Sequence, residues 1–168
     1  MGYKVVVGKD YLAFSAAHFI TFGGKCERLH GHNYAVAVEV EGDLTADSYV
    51  WDFVPLKRMV KGICDALDHR FLVAVRNPHL SIQKGEEEWE IRYGERRYVL
   101  PADDVLPLPL DNITAERLAE YVCGQVVAGL RERGADNVTA VTVRVDEEPG
   151  QAAFYTIHLS GGLPTSCW

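Results

Sequence analysis

The sequence predicts an α+β protein in which an antiparallel four-stranded sheet carries two helices on one face, with an additional hairpin inserted between the helices. Three observations support this fold class. Several segments alternate apolar and polar residues with a period of two, which is typical of strands. Two segments repeat apolar residues every three or four positions, as amphipathic helices do. The order is strand, strand, helix, hairpin, helix, strand, strand, and 168 residues suit a single domain.

The strands of the first half are predicted from alternation. "YKVVVG" and "YLAFSAAHF" form two strands joined by a short turn at residues 8–10, and His18 shares a face with Phe14 in the second. "HNYAVAVEVEG" places Tyr34 and three valines on one face and mostly small or acidic residues on the other. Such a pattern is typical of an antiparallel strand with one buried face.

The helices have clear starts. Asp52 and Pro55 mark the beginning of the first helix, which ends near "DHRF", and Thr114 begins the second, which Gly134 ends. Two last strands, "NVTAVTVRVDE" and "AAFYTIHLS", are joined by a Pro-Gly turn. Residues 76–110 contain a hairpin that turns at Gly94 followed by a proline-rich segment, "PADDVLPLPL", that we predict to be a loop.

Composition and charge exclude several classes of function. The net charge of −7 argues against a nucleic-acid binder, which needs a basic face. No apolar run approaches the roughly 20 residues that span a bilayer, and the N-terminus does not resemble a signal peptide. We therefore expect a cytoplasmic protein.

The four cysteines form no CxxC pair, which fits a reducing compartment. Cys64 and Cys123 fall within helical patterns and are predicted to be core residues. Cys167 lies in a tail, "GGLPTSCW", that we expect to be frayed. The remaining cysteine, Cys26, has polar and chemically capable neighbours.

The segment "KCERLHGHNY" places a thiol close to two imidazoles. His30 and His32 lie two residues apart, so on a strand their rings share a face and can reach one metal ion. His18, at the end of the preceding strand, is the natural third ligand. Imidazole suits Zn²⁺, and a catalytic zinc usually has three protein ligands and one open position. Cys26 could instead close a four-ligand structural zinc site, or it could be a thiolate nucleophile.

A second pair of candidate residues ends the first helix. In "ALDHRF", Asp68 could orient His69 as a proton carrier. The same pattern is also explained by a structural role, because a cationic histidine is favoured at the negative C-terminal end of a helix. Two further histidines, His79 and His158, are predicted to be surface residues.

Six segments, taken in order, resemble the 6-pyruvoyltetrahydropterin synthase family, which includes the bacterial 6-carboxytetrahydropterin synthases of the queuosine pathway. They are "FSAAHF", "CERLHGHNY", "VWDF", "ALDHRF", "TAERLA" and "VRVDE". The resemblance covers residues 3–75 and 110–160 and leaves 76–110 as an insertion. It implies the tunnelling fold, in which sheets from several subunits close a barrel, and therefore a homo-oligomer that we expect to be a hexamer.

The resemblance also implies roles for individual residues. The zinc ligands are the three histidines already named, His18, His30 and His32. Proton transfer is assigned to Cys26 and to the relay of Asp68 and His69. A late glutamate that binds the pterin maps to Glu147, although Glu148 is adjacent, and Thr114 helps to seat the pterin.

The implied substrate is 7,8-dihydroneopterin triphosphate. The spacing C-x3-HGH favours the carboxy branch, in which acetaldehyde and triphosphate leave and 6-carboxy-5,6,7,8-tetrahydropterin remains. In the pyruvoyl branch only triphosphate leaves, and an archaeal folate-type branch uses a glutamate in this loop, where Glu27 stands. A cyclohydrolase-like hydrolase and a non-catalytic zinc module are also compatible with the sequence.

Overall fold

A computed structural model describes residues 2–159, and its main element is a six-stranded mixed sheet. The strands are β1 Tyr3–His18, β2 Thr21–Phe22, β3 Lys25–Cys26, β4 His30–Gly42, β5 Arg70–Ala74, β6 Ser81–Lys84, β7 Glu88–Tyr93, β8 Arg96–Pro101, β9 Val105–Leu108, β10 Val138–Glu148 and β11 Gln151–His158. The order in the main sheet is β11-β10-β4-β1-β5-β9. The first four are antiparallel neighbours, as predicted, whereas β5 and β9 add a parallel edge.

The prediction of a four-stranded antiparallel sheet is therefore wrong, because the sheet has two additional strands, β5 and β9. Strand β5 is a short, mostly apolar run that directly follows a helix. Periodicity alone cannot distinguish such a run from a continuation of the helix. Strand β9 lies within the proline-rich segment that the sequence predicts to be a loop. Pro107 is tolerated there because β9 is an edge strand that pairs only with β5. The N–H that proline lacks can therefore be one that would have pointed away from the sheet.

The predicted turn at residues 8–10 is also wrong. Strand β1 runs through it without interruption, and its register with β4 shifts between Gly8 and Ala13. A bulge of this kind bends a strand without ending it. The glycine and the charged residues that suggested a turn therefore accommodate an irregular pairing instead.

Two helices, α1 Phe53–Leu67 and α2 Ala115–Arg131, share one apolar core with the sheet. Asp52 caps α1 by accepting a hydrogen bond of 2.8 Å from the Val54 N–H, and Thr114 caps α2. The alternating residues of β1 and β4 that were predicted to face inward are buried in this core. Cys64 and Cys123 are buried there as predicted.

Strands β6–β8 form a separate antiparallel sheet, which we call the accessory sheet (residues 81–101). Its β7–β8 hairpin turns at Gly94 and Glu95, as predicted. It covers a second apolar cluster, distinct from the main core, made of Phe19, Cys26, Phe71, Val73, Trp89, Ile91 and Val105. The accessory sheet is thus attached to the main sheet by side-chain packing.

Cys167 and the tail around it lie outside the described residues. Over residues 2–159, neither helix has the length and apolar character needed to cross a membrane.

The core assignment can be tested on α1, where Leu56 is 0% exposed and Val54 is 55% exposed. We expect Leu56→Ala to lower the free energy of unfolding by about 2–5 kcal/mol, because it removes buried apolar contacts and leaves a cavity. Val54→Ala, the matched control on the same helix, should change it by less than about 0.5 kcal/mol. Urea unfolding followed by circular dichroism measures both, and equal effects would contradict the packing described.

Candidate active site

Strand register brings the three predicted metal ligands together. In the antiparallel pairing of β1 with β4, His18 lies directly opposite His30, and His32 lies opposite the small residue Ala16. The three imidazoles therefore project from the same face. Their possible ligand atoms all lie within 4.8 Å of one another. A Cβ at Gly31 would lie 2.8 Å from the Ala16 carbonyl oxygen, so glycine between the histidines permits this close pairing.

Backbone carbonyls orient two of the rings. His18 donates a hydrogen bond of 2.8 Å from Nδ1 to the Ile113 carbonyl, and His30 donates one of 2.7 Å from Nδ1 to the Arg28 carbonyl. A proton on Nδ1 leaves the Nε2 lone pair available as a ligand, which is the usual arrangement at metal sites. Burial lowers the pKa of His18 to about 4, so its imidazole is neutral. This donor set fits a divalent metal ion held by three imidazole nitrogens.

The triad opens into a pocket of about 600 Å³. Two further residues predicted to belong to the site, Thr114 and Glu147, line it, and so does Glu27, which was not predicted as a site residue. Thr114 also begins α2, where its hydroxyl accepts a hydrogen bond of 3.4 Å from the Arg117 N–H. A pocket of this size, with a few convergent polar groups, suits a small molecule.

Glu147, rather than Glu148, faces the triad. Its Oε1 lies 3.6 Å from Nε2 of His32 and 3.9 Å from Nε2 of His18. A register shift between β10 and β11 makes Glu147 the extra residue of a bulge, which is how a strand re-aims one side chain. The Glu148 side chain is 56% exposed, and its carboxylate approaches the other ring nitrogen of His32, at 3.8 Å.

Tyr34 is fully buried behind the triad, where it contacts His18. Its hydroxyl donates a hydrogen bond of 3.2 Å to Nε2 of His18, because Nδ1 of that ring carries the proton. Burial, with a smaller contribution from the Glu147 carboxylate, raises the pKa of Tyr34, so the phenol keeps its proton. The sequence pattern identified Tyr34 only as a core residue, although its position two residues after His32 on the same face was a sign of this contact.

Cys26 and Glu27 point in different directions. Cys26 is 7% exposed and belongs to the second apolar cluster, where its thiol lies 3.4 Å from the Glu27 carbonyl oxygen. Burial is the main reason that the pKa of Cys26 is raised. In contrast, the Glu27 carboxylate lines the pocket, with Oε2 3.9 Å from Nε2 of His30.

The position of Cys26 bears on whether the candidate metal site is structural. Among the described residues, the cluster of possible metal ligands consists of His18, His30 and His32, without the Cys26 sulfur. Three protein ligands leave a coordination position for another group. This arrangement favours a catalytic site over a closed four-ligand structural site.

Asp68 and His69 lie close to each other but outside the triad pocket. The Asp68 carboxylate accepts hydrogen bonds of 2.7 Å from the Ser15 N–H and 2.8 Å from His69 Nδ1. His69 has φ of 55°, a conformation that non-glycine residues adopt rarely. Its side chain is 83% exposed and lines another cavity of about 530 Å³, which His32 also lines but His18 and His30 do not. A single chain therefore does not bring this pair to the three histidines.

Three convergent histidines on the sheet form a site suited to a metal ion, and the polar pocket beside them is suited to a small molecule. Together they are typical of a metal-dependent enzyme that acts on a small molecule. The chain belongs to the 6-pyruvoyl tetrahydropterin synthase family, whose model it matches over residues 9–158. It is a tetrahydropterin synthase-like enzyme, and the family resemblance noted from the six sequence segments is confirmed.

Two relatives illustrate the range of named activities. The chain is 34% identical over 149 residues to a Methanocaldococcus jannaschii protein provisionally named a 6-carboxy-5,6,7,8-tetrahydropterin synthase, covering 88% of this chain and 91% of that one. It is 43% identical over 60 residues to the dihydroneopterin monophosphate aldolase of Pyrococcus furiosus, covering 36% of this chain and 51% of that one.

Among solved structures, 6-pyruvoyl tetrahydropterin synthase from Plasmodium vivax superimposes with a TM-score of 0.90 at 30% identity. The match covers 95% of this chain and 99% of that chain. Two variant structures of the Plasmodium vivax enzyme, in which a catalytic glutamate is replaced by alanine or cysteine, match with a TM-score of 0.86.

The Asp68 contacts predict a pH dependence of stability. The Ser15 N–H, followed by His69, holds the pKa of Asp68 below its ordinary value of 3.8. Because the folded protein favours the ionised form, the stabilisation is present above that value and is lost as the pH falls through the lowered pKa. We expect the free energy of unfolding of Asp68→Asn to fall less steeply below about pH 4 than that of the wild type, because the variant has no carboxylate to protonate at this position.

Chemical denaturation at a series of pH values measures this difference. Asp136→Asn, which removes an exposed carboxylate from the segment after α2, is the control and should follow the wild type. Parallel curves for Asp68→Asn and the wild type would contradict the role of these hydrogen bonds.

Proposed function

We propose that this protein is a zinc-dependent lyase that converts 7,8-dihydroneopterin triphosphate and one water molecule to 6-carboxy-5,6,7,8-tetrahydropterin, with release of acetaldehyde and triphosphate. The observation that carries the proposal is the convergence of His18, His30 and His32 at the wall of an open pocket. The long match to the Methanocaldococcus jannaschii protein supports the choice of product.

The three histidines would hold the zinc through their ring nitrogens. When bound, zinc supplies Lewis acidity that polarises oxygen atoms of the substrate side chain. The protein adds orientation, because the Ile113 and Arg28 carbonyls fix two of the rings before any ligand arrives. The buried Tyr34 hydroxyl adds a hydrogen bond to Nε2 of His18.

Glu147 is suited to bind the pterin ring. A carboxylate can accept two parallel hydrogen bonds from an amino group and an adjacent ring N–H, the edge that a pterin presents. The bulge that aims Glu147 at His32 places this acceptor beside the metal ligands. Thr114, at the start of α2, lines the same pocket and would limit where the ring can sit.

The identity of the base separates two candidate reactions. The carboxy reaction uses the Cys26 thiolate as its base, and it requires that thiol to leave the second apolar cluster. Glu27 already faces the pocket, which favours a second candidate, aldol cleavage of the same side chain. The names of the Pyrococcus furiosus aldolase and of the Plasmodium vivax glutamate variants support this second candidate.

In the aldol reaction, Glu27 takes the proton of the C2′ hydroxyl. The C2′–O bond becomes a carbonyl while the C1′–C2′ bond breaks, and its electron pair moves to C1′ and into the ring imine. Proton return to C1′ gives 6-hydroxymethyl-7,8-dihydropterin, and the other product is glycolaldehyde triphosphate. A carboxylate within reach of the hydroxyl is sufficient as the base.

The relay of Asp68 and His69 requires a second chain under this proposal. Within residues 2–159, β11 and β9 are the edge strands of the main sheet, and pairing between copies is one way to cover such edges. We propose a homo-oligomer, a hexamer by family resemblance, in which His69 of one subunit serves the pocket of another. The exposed His69 ring is consistent with such an arrangement.

Product analysis tests the proposed function. Zinc-loaded protein is incubated with 7,8-dihydroneopterin triphosphate, and acetaldehyde, triphosphate and glycolaldehyde triphosphate are measured. We expect Glu27→Gln to lower formation of the aldol products by about 10²-fold or more, and Cys26→Ser to lower acetaldehyde release to a similar degree, because each variant removes one base. Triphosphate without acetaldehyde or glycolaldehyde triphosphate would instead indicate the pyruvoyl branch.

Metal binding is tested separately by titrating chelator-treated protein with Zn²⁺ in a calorimeter. We expect His32→Ala to weaken binding strongly, because it removes one of three ligands, and His79→Ala, on an exposed turn, to bind as the wild type does. Cys26→Ala should retain the metal. Loss of both metal and fold in Cys26→Ala would support a structural zinc site instead.

A further inference from the structure

We infer that Arg96 of the accessory sheet is a positioning residue that keeps Glu27 facing the metal pocket and Cys26 turned away from it. The inference rests on the second candidate of the proposed function, aldol cleavage, because it takes Glu27 rather than Cys26 as the base. It assigns to the accessory sheet a role in selecting the reaction rather than in forming the pocket.

Two hydrogen bonds tie Arg96 to the loop that carries both side chains. A single guanidinium nitrogen of Arg96, Nη1, donates to the carbonyl oxygens of both Cys26 and Glu27, each at 2.7 Å. Hydrogen bonds from a charged donor are stronger than those between neutral groups. Because consecutive carbonyls usually point in different directions along an extended chain, a single group that binds both fixes the rotation of the peptide between them.

Arg96 differs in its contacts from two other arginines on the same hairpin. Arg92 and Arg97 both pair with the Glu90 carboxylate on the surface of the accessory sheet. Among the described residues, the hydrogen bonds of Arg96 go to the two backbone carbonyls. Its guanidinium is therefore directed at the loop that precedes His30 and His32.

The accessory sheet also holds the Cys26 side chain. Cys26 belongs to the second apolar cluster together with Trp89 and Ile91 of β7. The rings of Tyr98, on β8, and Phe19, next to His18, are stacked with centroids 5.2 Å apart. Successive side chains on an extended segment point to opposite sides, so burying the thiol here turns Glu27 toward the pocket.

The other end of the loop is held independently of the accessory sheet. Asn112 bonds the backbone of Thr21 in both directions, accepting from its N–H at 3.2 Å and donating to its carbonyl at 2.8 Å. Asn77 donates to the Thr21 hydroxyl at 2.9 Å. Removing the Arg96 contacts should therefore free residues 26–27 while leaving the start of the loop in place.

The experiment compares Arg96→Met, which keeps most of the aliphatic stem but removes the donors, with Arg96→Lys, which keeps a charged donor. Arg97→Met is the matched control on the same strand. The readout is the rate at which iodoacetamide alkylates each cysteine of the zinc-loaded full-length protein, measured by peptide mass spectrometry. Cys64 and Cys123, buried in the main core, report whether the protein remains folded.

We expect Arg96→Met to speed alkylation of Cys26 by about tenfold or more, the range that corresponds to losing hydrogen bonds from a charged donor, with Cys64 and Cys123 unchanged. The kcat for aldol cleavage should fall with little change in KM, because the base moves while the pterin contacts remain. Arg96→Lys should restore much of the protection, and Arg97→Met should match the wild type.

Two outcomes would overturn the inference. One is an unchanged alkylation rate of Cys26 in Arg96→Met. The second is faster alkylation of Cys26, Cys64 and Cys123 alike, which would mean that Arg96 maintains the fold as a whole. Failure of the aldol candidate would be seen elsewhere, since full aldol activity in Glu27→Gln would remove Glu27 as the base without altering the alkylation result.

Discussion

The antiparallel register of β1 and β4 is the constraint on which the rest of this structure depends. It places His18 opposite His30 and leaves room at Ala16 for His32. A shift of one residue would turn an entire strand over and send its histidines to the opposite face. The same register buries Phe14 and Tyr34 in the core, so the free energy that stabilises the sheet also fixes the site. Pairing of these two strands therefore also brings the three histidines together.

Groups outside β1 and β4 complete the site. The Ile113 carbonyl, just before α2, orients His18, and the bulge in β10 aims Glu147. The loop between β1 and β4 contributes Glu27, whose direction depends on contacts with the accessory sheet. The three candidate metal ligands thus lie on paired strands, whereas Glu27, the proposed base of the aldol candidate, lies on a loop held by an added layer. Chemistry within such a family can change through this layer without disturbing the metal ligands.

The sequence predicted the central antiparallel strands, both helices and the convergence of three histidines, because each follows from a local periodicity. It did not predict β5 and β9, whose pairing is parallel and depends on partners distant in the chain. The choice between Glu147 and Glu148 required the bulge, which is a property of two strands together. The direction of Cys26 could not be predicted either, because side-chain alternation cannot be followed through an irregular loop. Arg96 is separated from Cys26 by 70 positions in the chain, and nothing local indicates the contact.

Because the three imidazoles come from two different strands, a bound ion would act as a cross-link within the sheet. Only the paired strands present all three donors at once, so occupancy and strand pairing are thermodynamically linked. Metal supply would then influence the resistance of the domain to unfolding as well as its turnover, and cells short of the ion would hold a less durable form of the same chain.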